Sequence, residues 1–148
     1  MKKVMIACST CFYDNIDEIS KELIKLGFDI IYPNGYNEEN EWRDDFNEEE
    51  YVKFFKKMFA NSRDKTCKTD ILLVLNFDKV KNGKVLSNYI GASTFLEIYE
   101  ASMNNKKVYL MNPIPDNLLY EEIKGCGVEV INCDLNKLKE EIYEVNPK

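Results

Sequence analysis

Glu97 closes the segment NYIGASTFLE, residues 88–97, in which small residues precede a carboxylate. Two interpretations compete. Thr94 and Glu97 have the S/T-x-x-E spacing of a capping box, in which the threonine caps a helix and the glutamate bonds back to its backbone. Alternatively, Gly91 and Ser93 leave open space before the carboxylate, and a helix start favours negative charge by about 0.3–1 kcal/mol. An ionised carboxylate facing such a space has the properties of a catalytic nucleophile.

The remaining chemistry is limited by the residue types present. The sequence has no histidine, which excludes Ser–His and Cys–His catalysis by these residues. Cys8 and Cys11 form a C-x-x-C pair between a strand and a helix, but the helix is expected to begin only after residue 13, so a redox dithiol is disfavoured. Cys126 and Cys133 are seven apart, which does not provide the second C-x-x-C of a zinc site. We expect no metal and no cofactor.

The loop from Cys8 to Thr10 has a composition suited to binding an anion. Small residues and the hydroxyls of Ser9 and Thr10 precede a helix, whose backbone N–H groups can face a phosphate. The loop contains no glycine. Neither the G-x-G-x-x-G fingerprint of dinucleotide binding nor a Walker loop is therefore present.

Composition excludes several classes of partner. The chain has 148 residues, 45% of them hydrophobic, and a net charge of −6. Nucleic-acid polymers require a basic patch, which this chain lacks, although a small nucleotide remains possible. The apolar run from Val4 to Cys8 is shorter than the roughly 7–15 residues of a signal-peptide core, and no run approaches the roughly 20 residues of a membrane span. We therefore expect a cytoplasmic protein. The odd number of cysteines, five, also argues against a disulfide framework.

Acidic residues are densest in NEENEWRDDFNEEE, residues 37–50. One interpretation is a solvated loop followed by the acidic first turn of a helix. The other is a mobile lid, in which Trp42 or Phe46 covers a flat ligand.

Strands and helices alternate along the chain. Short apolar runs predict five strands at Lys3–Ala7, 28–32, 71–75, 108–111 and 128–131. Helical periodicity predicts helices at 15–26, 48–61, 94–104, 119–124 and 135–143, with Asp14 and Asn15 as caps of the first and Gly27 after its end. The segment holding Asn76, Asp78, Asn82 and Gly83 is expected to be a loop.

This alternation predicts one domain, residues 1–148, with a three-layer α/β fold. Five strands favour a flavodoxin-like (Rossmann-like) parallel sheet of order 2-1-3-4-5. Ligands of such sheets bind beyond the carboxyl ends of the strands, at the switch between strands 1 and 3. Residues 8–13, residues 76–78 and the loop leading to Glu97 should therefore surround one crevice.

At this point the sequence resembles the nucleoside 2-deoxyribosyltransferase-like family. The most specific segment is NYIGASTFLEIYEA followed by KKVYLMNPIPD. Further similarity lies in KVMIACSTCFYDNIDEISKELIKLGFDIIYP, TDILLVLNFD and VEVINCDL. The resemblance covers nearly the whole chain except residues 36–66.

The resemblance implies a flavodoxin-like fold and cleavage of N-glycosidic bonds in nucleosides or nucleotides. The glutamate at the position of Glu97 attacks C1′ of the sugar, and a second base or water resolves the covalent intermediate. Asp78 and Asn76 would assist at the leaving base, and Tyr13 or Tyr89 would hold Glu97. The expected substrate-binding residues are Ser9, Thr10, Phe12, Asn76, Tyr89, Gly91, Ser93 and Thr94.

The sequence departs from the family pattern at positions that bind the sugar. The transferases carry an aspartate six residues before the nucleophile, where this chain has Gly91. They carry another before the third strand, for which Asp64 is the nearest candidate and Ser62 the alternative. Hydrolysis, or binding without turnover by a nucleotide-binding or interaction module, tolerates these changes better than transfer does.

The resemblance also implies a homo-oligomer, a dimer or larger. The aromatic face predicted for the helix at 48–61 suits an interface between copies, although such stripes usually belong to the core.

Overall fold

The architecture is a parallel sheet with helices on both faces. The computed structural model describes residues 1–142. The sheet has the order β2-β1-β3-β6-β7, and every pairing within it is parallel. This confirms the predicted flavodoxin-like order 2-1-3-4-5. The strands of this sheet are β1 (Lys3–Ala7), β2 (Asp29–Ile31), β3 (Ile71–Val74), β6 (Lys107–Leu110) and β7 (Glu129–Val130).

Successive residues of the central strands face opposite sides of the sheet, which produces two cores. Val4 and Ile6 of β1 belong to one buried cluster, and Met5 and Ala7 belong to the other. The first cluster includes residues of α1 and of the C-terminal segment, and the second includes residues of α3 and α4. The helices are α1 (Ile16–Lys25), α2 (Glu48–Lys68), α3 (Ala92–Met103), α4 (Tyr120–Gly125) and α5 (Lys139–Ile142).

Several helix boundaries differ from those expected. A 3-10 helix, Thr10–Asn15, precedes α1, and Asn15 makes no side-chain capping bond. Asn15 thus stands at the predicted N-cap position without the expected capping bond, and Asp14 lies inside the 3-10 helix. Gly27 follows the helix with φ +102°, as expected of a C′ glycine. The C-terminal helix is divided into a 3-10 turn, Leu135–Leu138, and α5, and its predicted last residue, Tyr143, lies outside the described residues.

The predicted loop after β3 contains a β-hairpin. Its strands are β4 (Lys79–Lys81) and β5 (Lys84–Leu86), which pair antiparallel. Asn82 and Gly83 form its turn, with φ values of +52° and +75°. Two positive φ values are what a type I′ hairpin turn requires, and Asn-Gly is its preferred sequence. The three-residue strands were too short to stand out from the polar segment around them.

The helix α2 extends seven residues beyond its predicted end and begins with a capping box. The Asn47 side chain accepts from the Glu50 N–H at 2.8 Å, and Glu50 Oε1 accepts from the Asn47 N–H at 3.0 Å. The helix packs beside α3, where Arg63 pairs with Glu100 at 3.4 Å. Within residues 1–142, no helix combines the length and apolar character that crossing a bilayer requires.

Candidate active site

A cavity of about 610 Å³ opens beyond the carboxyl ends of β1 and β2, beside the start of α3. The segments after these two strands and the residues before and within α3 form its walls. Most of the residues expected at the site line it together: Ser9, Thr10, Tyr13, Tyr89, Gly91, Ser93, Thr94 and Glu97. The segments after β1 and β2 and the start of α3 therefore share one crevice at the carboxyl ends of the strands, whereas residues 76–78, expected there after β3, do not line it.

Glu97 lies in the second turn of α3 and lines the cavity. The helix begins at Ala92 after the N-cap Gly91, two residues earlier than expected, and has no side-chain capping bond. The capping-box interpretation of Thr94 and Glu97 is therefore wrong, because Thr94 already lies inside the helix. The stabilisation expected from a helix start is also reduced, since the helix dipole acts mainly within the first turn.

Burial dominates the electrostatics of Glu97. It raises the pKa of this carboxyl to about 7, against the opposing effects of a hydrogen bond from Ser62 and the positive charge of Lys65. Desolvation disfavours the charged form, whereas a donor and a nearby cation favour it. At neutral pH the carboxylate and the neutral acid are thus both populated. A pKa in this range is typical of groups that exchange protons during catalysis.

A chain of hydrogen bonds leads to Glu97 from two other elements. The Tyr13 hydroxyl donates to the Asn34 carbonyl at 2.6 Å, and Asn34 Nδ2 donates to Ser62 Oγ at 3.0 Å. Ser62 in turn bonds to the Glu97 carboxylate. The expected contact between Tyr13 and Glu97 is therefore replaced by this longer connection. Tyr13 remains a protonated phenol, because burial and the charges of Cys8 and Glu97 raise its pKa.

Ser62 and Asn34 are the residues of this network that are hardest to predict from the sequence. Ser62 was the alternative to Asp64 for the acidic position before β3, and it is Ser62 that lines the cavity. Asp64 instead pairs with Lys68 at 2.9 Å on the exposed side of α2. Asn34 lies in the turn after β2. Nothing in its local sequence distinguishes it from an ordinary turn asparagine.

Tyr89 and Gly91 share one wall of the cavity. The Tyr89 hydroxyl lies 3.2 Å from the place where a Cβ on residue 91 would lie. Lys79 Nζ sits 4.6 Å from the centre of the Tyr89 ring, in a cation–π contact. No residue within 1–142 forms a hydrogen bond with the Tyr89 hydroxyl. Glycine at 91 thus leaves room for a phenol whose donor and acceptor remain available to a ligand.

The segment between β2 and α2 forms the opposite wall. Residues 38–42 of this loop line the cavity, and Trp42 among them packs against α2, 5.4 Å from the Phe54 ring and 6.5 Å from the Phe55 ring. Phe46 does not line the cavity but lies 5.4 Å from Trp42. The acidic stretch is thus an exposed loop and first helical turn that also presents one aromatic ring to the cavity.

Three expected site residues lie outside the cavity lining. Asn76 is fully buried and binds the backbone of Asn112, donating to its carbonyl at 2.8 Å and accepting from its N–H at 2.9 Å. Asp78 accepts from the Asn88 N–H at 3.0 Å. Phe12 is buried in the core. The Asn76 amide is committed to the Asn112 backbone, and Asp78 holds the Asn88 backbone through Oδ1, so both residues support the loops around the site.

The Cys8 thiol lacks the electrostatics of a reactive cysteine. All five cysteines are free. Burial, together with the charges of Glu97 and Cys11, raises the pKa of Cys8 to about 12. A catalytic dithiol requires the opposite shift. Among residues 1–142, no three His, Cys, Asp or Glu side chains come together as a metal site would require.

Comparison with known proteins gives similarity in structure rather than in sequence. No protein-family model matches the chain, and no curated protein matches it. A 2-deoxyribosyltransferase from Bacillus psychrosaccharolyticus has the same fold, with a TM-score of 0.55 at 15% identity over 93% of this chain and 90% of that one. A conserved protein from Enterococcus faecalis V583 gives 0.57 at 14% identity over 97% of this chain and 98% of that one.

A CMP N-glycosidase from Clostridium botulinum aligns more loosely, with a TM-score of 0.44 at 14% identity over 97% of this chain and 100% of that one. The fold of this chain is that of the 2-deoxyribosyltransferase, so the resemblance inferred from the sequence is confirmed at the level of the fold.

Proposed function

We propose that this protein cleaves or transfers the N-glycosidic bond of a nucleoside or nucleotide, with Glu97 as the nucleophile. The observation that carries the proposal is the Glu97 carboxylate itself. It lines the cavity beyond the carboxyl ends of β1 and β2, its pKa is raised to about 7 and it is bonded by Ser62. A fold shared with a 2-deoxyribosyltransferase supports the same reaction class.

The reaction proceeds in two displacements. The ionised Glu97 oxygen attacks C1′ of the sugar, and the electron pair of the C1′–N bond leaves with the base. The base takes a proton from solvent water, and a glycosyl ester remains on Glu97. Water then attacks C1′ to give free sugar, or a second base attacks to give a new nucleoside, and Glu97 returns as a carboxylate. The nucleophile of the second step, water or a second base, returns one proton to solvent when it attacks.

The other lining residues have distinct assignments. The Tyr89 hydroxyl and the hydroxyls of Ser9, Thr10, Ser93 and Thr94 are the proposed partners of the sugar oxygens. Trp42 offers a ring surface for the base. Tyr13 acts as a positioning residue through Asn34 and Ser62, since its proton is committed to a carbonyl.

The test is release of free base from a panel of ribo- and deoxynucleosides and their 5′-monophosphates, with and without an acceptor base. We expect release by the wild type and a loss of at least about 1,000-fold in Glu97→Ala, because no other group replaces the nucleophile. Glu100→Ala is the matched control, since Glu100 lies on the same helix outside the cavity lining. Absence of release from every compound contradicts the proposal.

A binding module without turnover is the second candidate. It is favoured by the position of Asp78, which bonds to the Asn88 backbone and brings no second acid to the cavity. Gly91 likewise provides no acid beside Glu97. If the protein binds a nucleoside measurably, but neither the wild type nor Glu97→Ala releases base, it is a binding module and not an enzyme.

We further propose that the protein works as a homo-oligomer in the cytoplasm. Tyr51, Val52 and Phe59 of α2 are exposed and belong to neither buried cluster, so the aromatic face is not simply core. Tyr99 and Met103 of α3 are exposed as well. Light scattering coupled to size exclusion tests assembly, with Phe59→Lys expected to favour the monomer. Five free thiols suit a reducing compartment.

A further inference from the structure

We propose that the cavity accepts nucleosides and discriminates against their 5′-monophosphates, because its acidic side chains outnumber the positive charges available to a phosphate. This inference rests on the proposed function and specifies its substrate class. Four carboxylates line the cavity, those of Glu38, Glu39, Glu41 and Glu97, whereas Lys57 is the one cation among the lining residues described.

The cations near the cavity are already paired with acidic side chains. Lys57 Nζ lies 2.7 Å from Glu41 Oε2. Lys65, whose charge reaches Glu97, donates to the Tyr32 carbonyl at 2.9 Å and lies 3.5 Å from Glu38. A phosphate would have to compete with these carboxylates for either ammonium group.

The carboxylate that remains after this pairing is that of Glu39, and Glu97, whose pKa is raised to about 7, adds part of a further negative charge at neutral pH. Within residues 1–142, the Glu39 side chain has neither an ion-pair partner nor a hydrogen bond. A phosphate monoester carries about −1.5 to −2 charges near neutral pH and would enter a cavity with this surplus of like charge.

The start of α3 is the feature that favours an anion. Gly91, Ala92 and Ser93, at the N-terminal end of this helix, line the cavity. A helix end is equivalent to about half a positive charge, which is smaller than the acidic surplus. This helix end and the neighbouring hydroxyls therefore suit neutral sugar oxygens better than a dianion.

The experiment compares binding of each 2′-deoxynucleoside with that of its 5′-monophosphate. Calorimetric titration in Glu97→Gln removes turnover from the measurement while keeping the size of the side chain. We expect the monophosphate to bind at least about tenfold more weakly at low salt, and the difference to shrink as salt screens the exposed carboxylates.

Two further variants identify the charges responsible. Adding Glu41→Gln to Glu97→Gln frees Lys57 from its ion pair. The ratio of the dissociation constants of monophosphate and nucleoside should then fall by at least about threefold. Adding Glu49→Gln instead changes the charge equally in the same acidic stretch but outside the cavity, and should leave the preference unchanged. Monophosphates that bind as tightly as nucleosides, or no binding by either, overturn the inference.

The outcomes for the two proposals are separable. Base release by the wild type tests the N-glycosidic reaction, whereas the ratio of the two affinities tests the charge discrimination. A protein that cleaves monophosphates in preference to nucleosides would retain the proposed function and lose this inference. A protein that binds nucleosides selectively without releasing base would do the reverse.

Discussion

Ser62 on α2 donates a hydrogen bond to the carboxylate of Glu97 on α3. The bond joins two helices that are far apart in sequence, and it opposes the burial that raises the pKa of Glu97. Ser62 is itself held by Asn34 Nδ2 at 3.0 Å. The protonation of Glu97 therefore depends on the segment after β2 as well as on its own helix.

Replacing Ser62 with alanine should shift the pH dependence of base release. The wild-type rate should rise with pH through about 7, because only the ionised Glu97 attacks the sugar. Loss of the Ser62 donor raises the pKa of Glu97 further, so the midpoint of Ser62→Ala should move to higher pH and the rate at pH 7 should fall about three- to tenfold.

Measurement of kcat/KM between about pH 5.5 and 9 checks this expectation. Ser87→Ala is the control, since Ser87 is exposed and lies outside the cavity lining. An unchanged midpoint in Ser62→Ala would show that this hydroxyl does not tune the carboxylate.

Replacing Glu97 with glutamine should stabilise the fold above neutral pH. The folded-state pKa of about 7 lies above the ordinary value of 4.5, so the folded state holds more protons between these values. The free energy of unfolding of the wild type therefore falls as pH rises through this window. Glutamine removes the dependence, and the variant should be more stable by about 1–3 kcal/mol near pH 8 and equal near pH 4.5.

Urea denaturation of both proteins at several pH values measures the difference. Glu100→Gln provides the comparison on the same helix. If Glu97→Gln lost stability at every pH, burial would not be the dominant influence on this carboxyl.

Trp42→Ala should weaken substrate binding more than catalysis. Trp42 lines the cavity and is held against Phe54 and Phe55. Stacking of a base on an aromatic ring contributes about 1–3 kcal/mol, so the dissociation constant of a nucleoside should rise about tenfold or more. Calorimetric titration measures the change. Tyr120→Ala, which removes an aromatic ring on α4 outside the lining, should change affinity less than twofold.

Gly91→Ala should disturb Tyr89. A methyl group at residue 91 would lie 3.2 Å from the Tyr89 hydroxyl, so the ring must shift by a few tenths of an ångström. We expect a higher KM with an unchanged melting temperature, because φ at this position is −82° and alanine adopts it freely. If Tyr89 is the affected group, Gly91→Ala should add little to Tyr89→Phe.

Asn76→Ala should act on stability. The Asn76 side chain is fully buried and bonded to the Asn112 backbone in both directions. Its removal leaves buried backbone groups without partners and should lower the free energy of unfolding by about 2–4 kcal/mol. Asn136→Ala, at an exposed position, serves as the control in chemical denaturation. If Asn76→Ala kept its stability but lost base release, Asn76 would have the catalytic role expected from the sequence.

The sequence by itself determined the sheet and the region of the site. Continuous apolar runs such as residues 71–74 specify buried parallel strands, and their alternation with helices leaves few topologies. Because ligands of such sheets bind beyond the strand ends, Ser9, Tyr13, Tyr89 and Glu97 could be expected at one crevice before any coordinates.

Only the tertiary structure decided which side chains work together there. Asn76 and Asp78 have the residue types of a catalytic loop, yet the Asn76 amide is taken by the backbone of Asn112, and one Asp78 oxygen by that of Asn88. Ser62, in contrast, has an unremarkable local sequence and reaches Glu97 because α2 packs beside α3. The local sequence indicates helical or strand periodicity and turn preference. Hydrogen-bond partners and burial depend instead on which distant segments share a cavity. Burial is what raises the pKa of Glu97, so this property could not be predicted from the sequence around it.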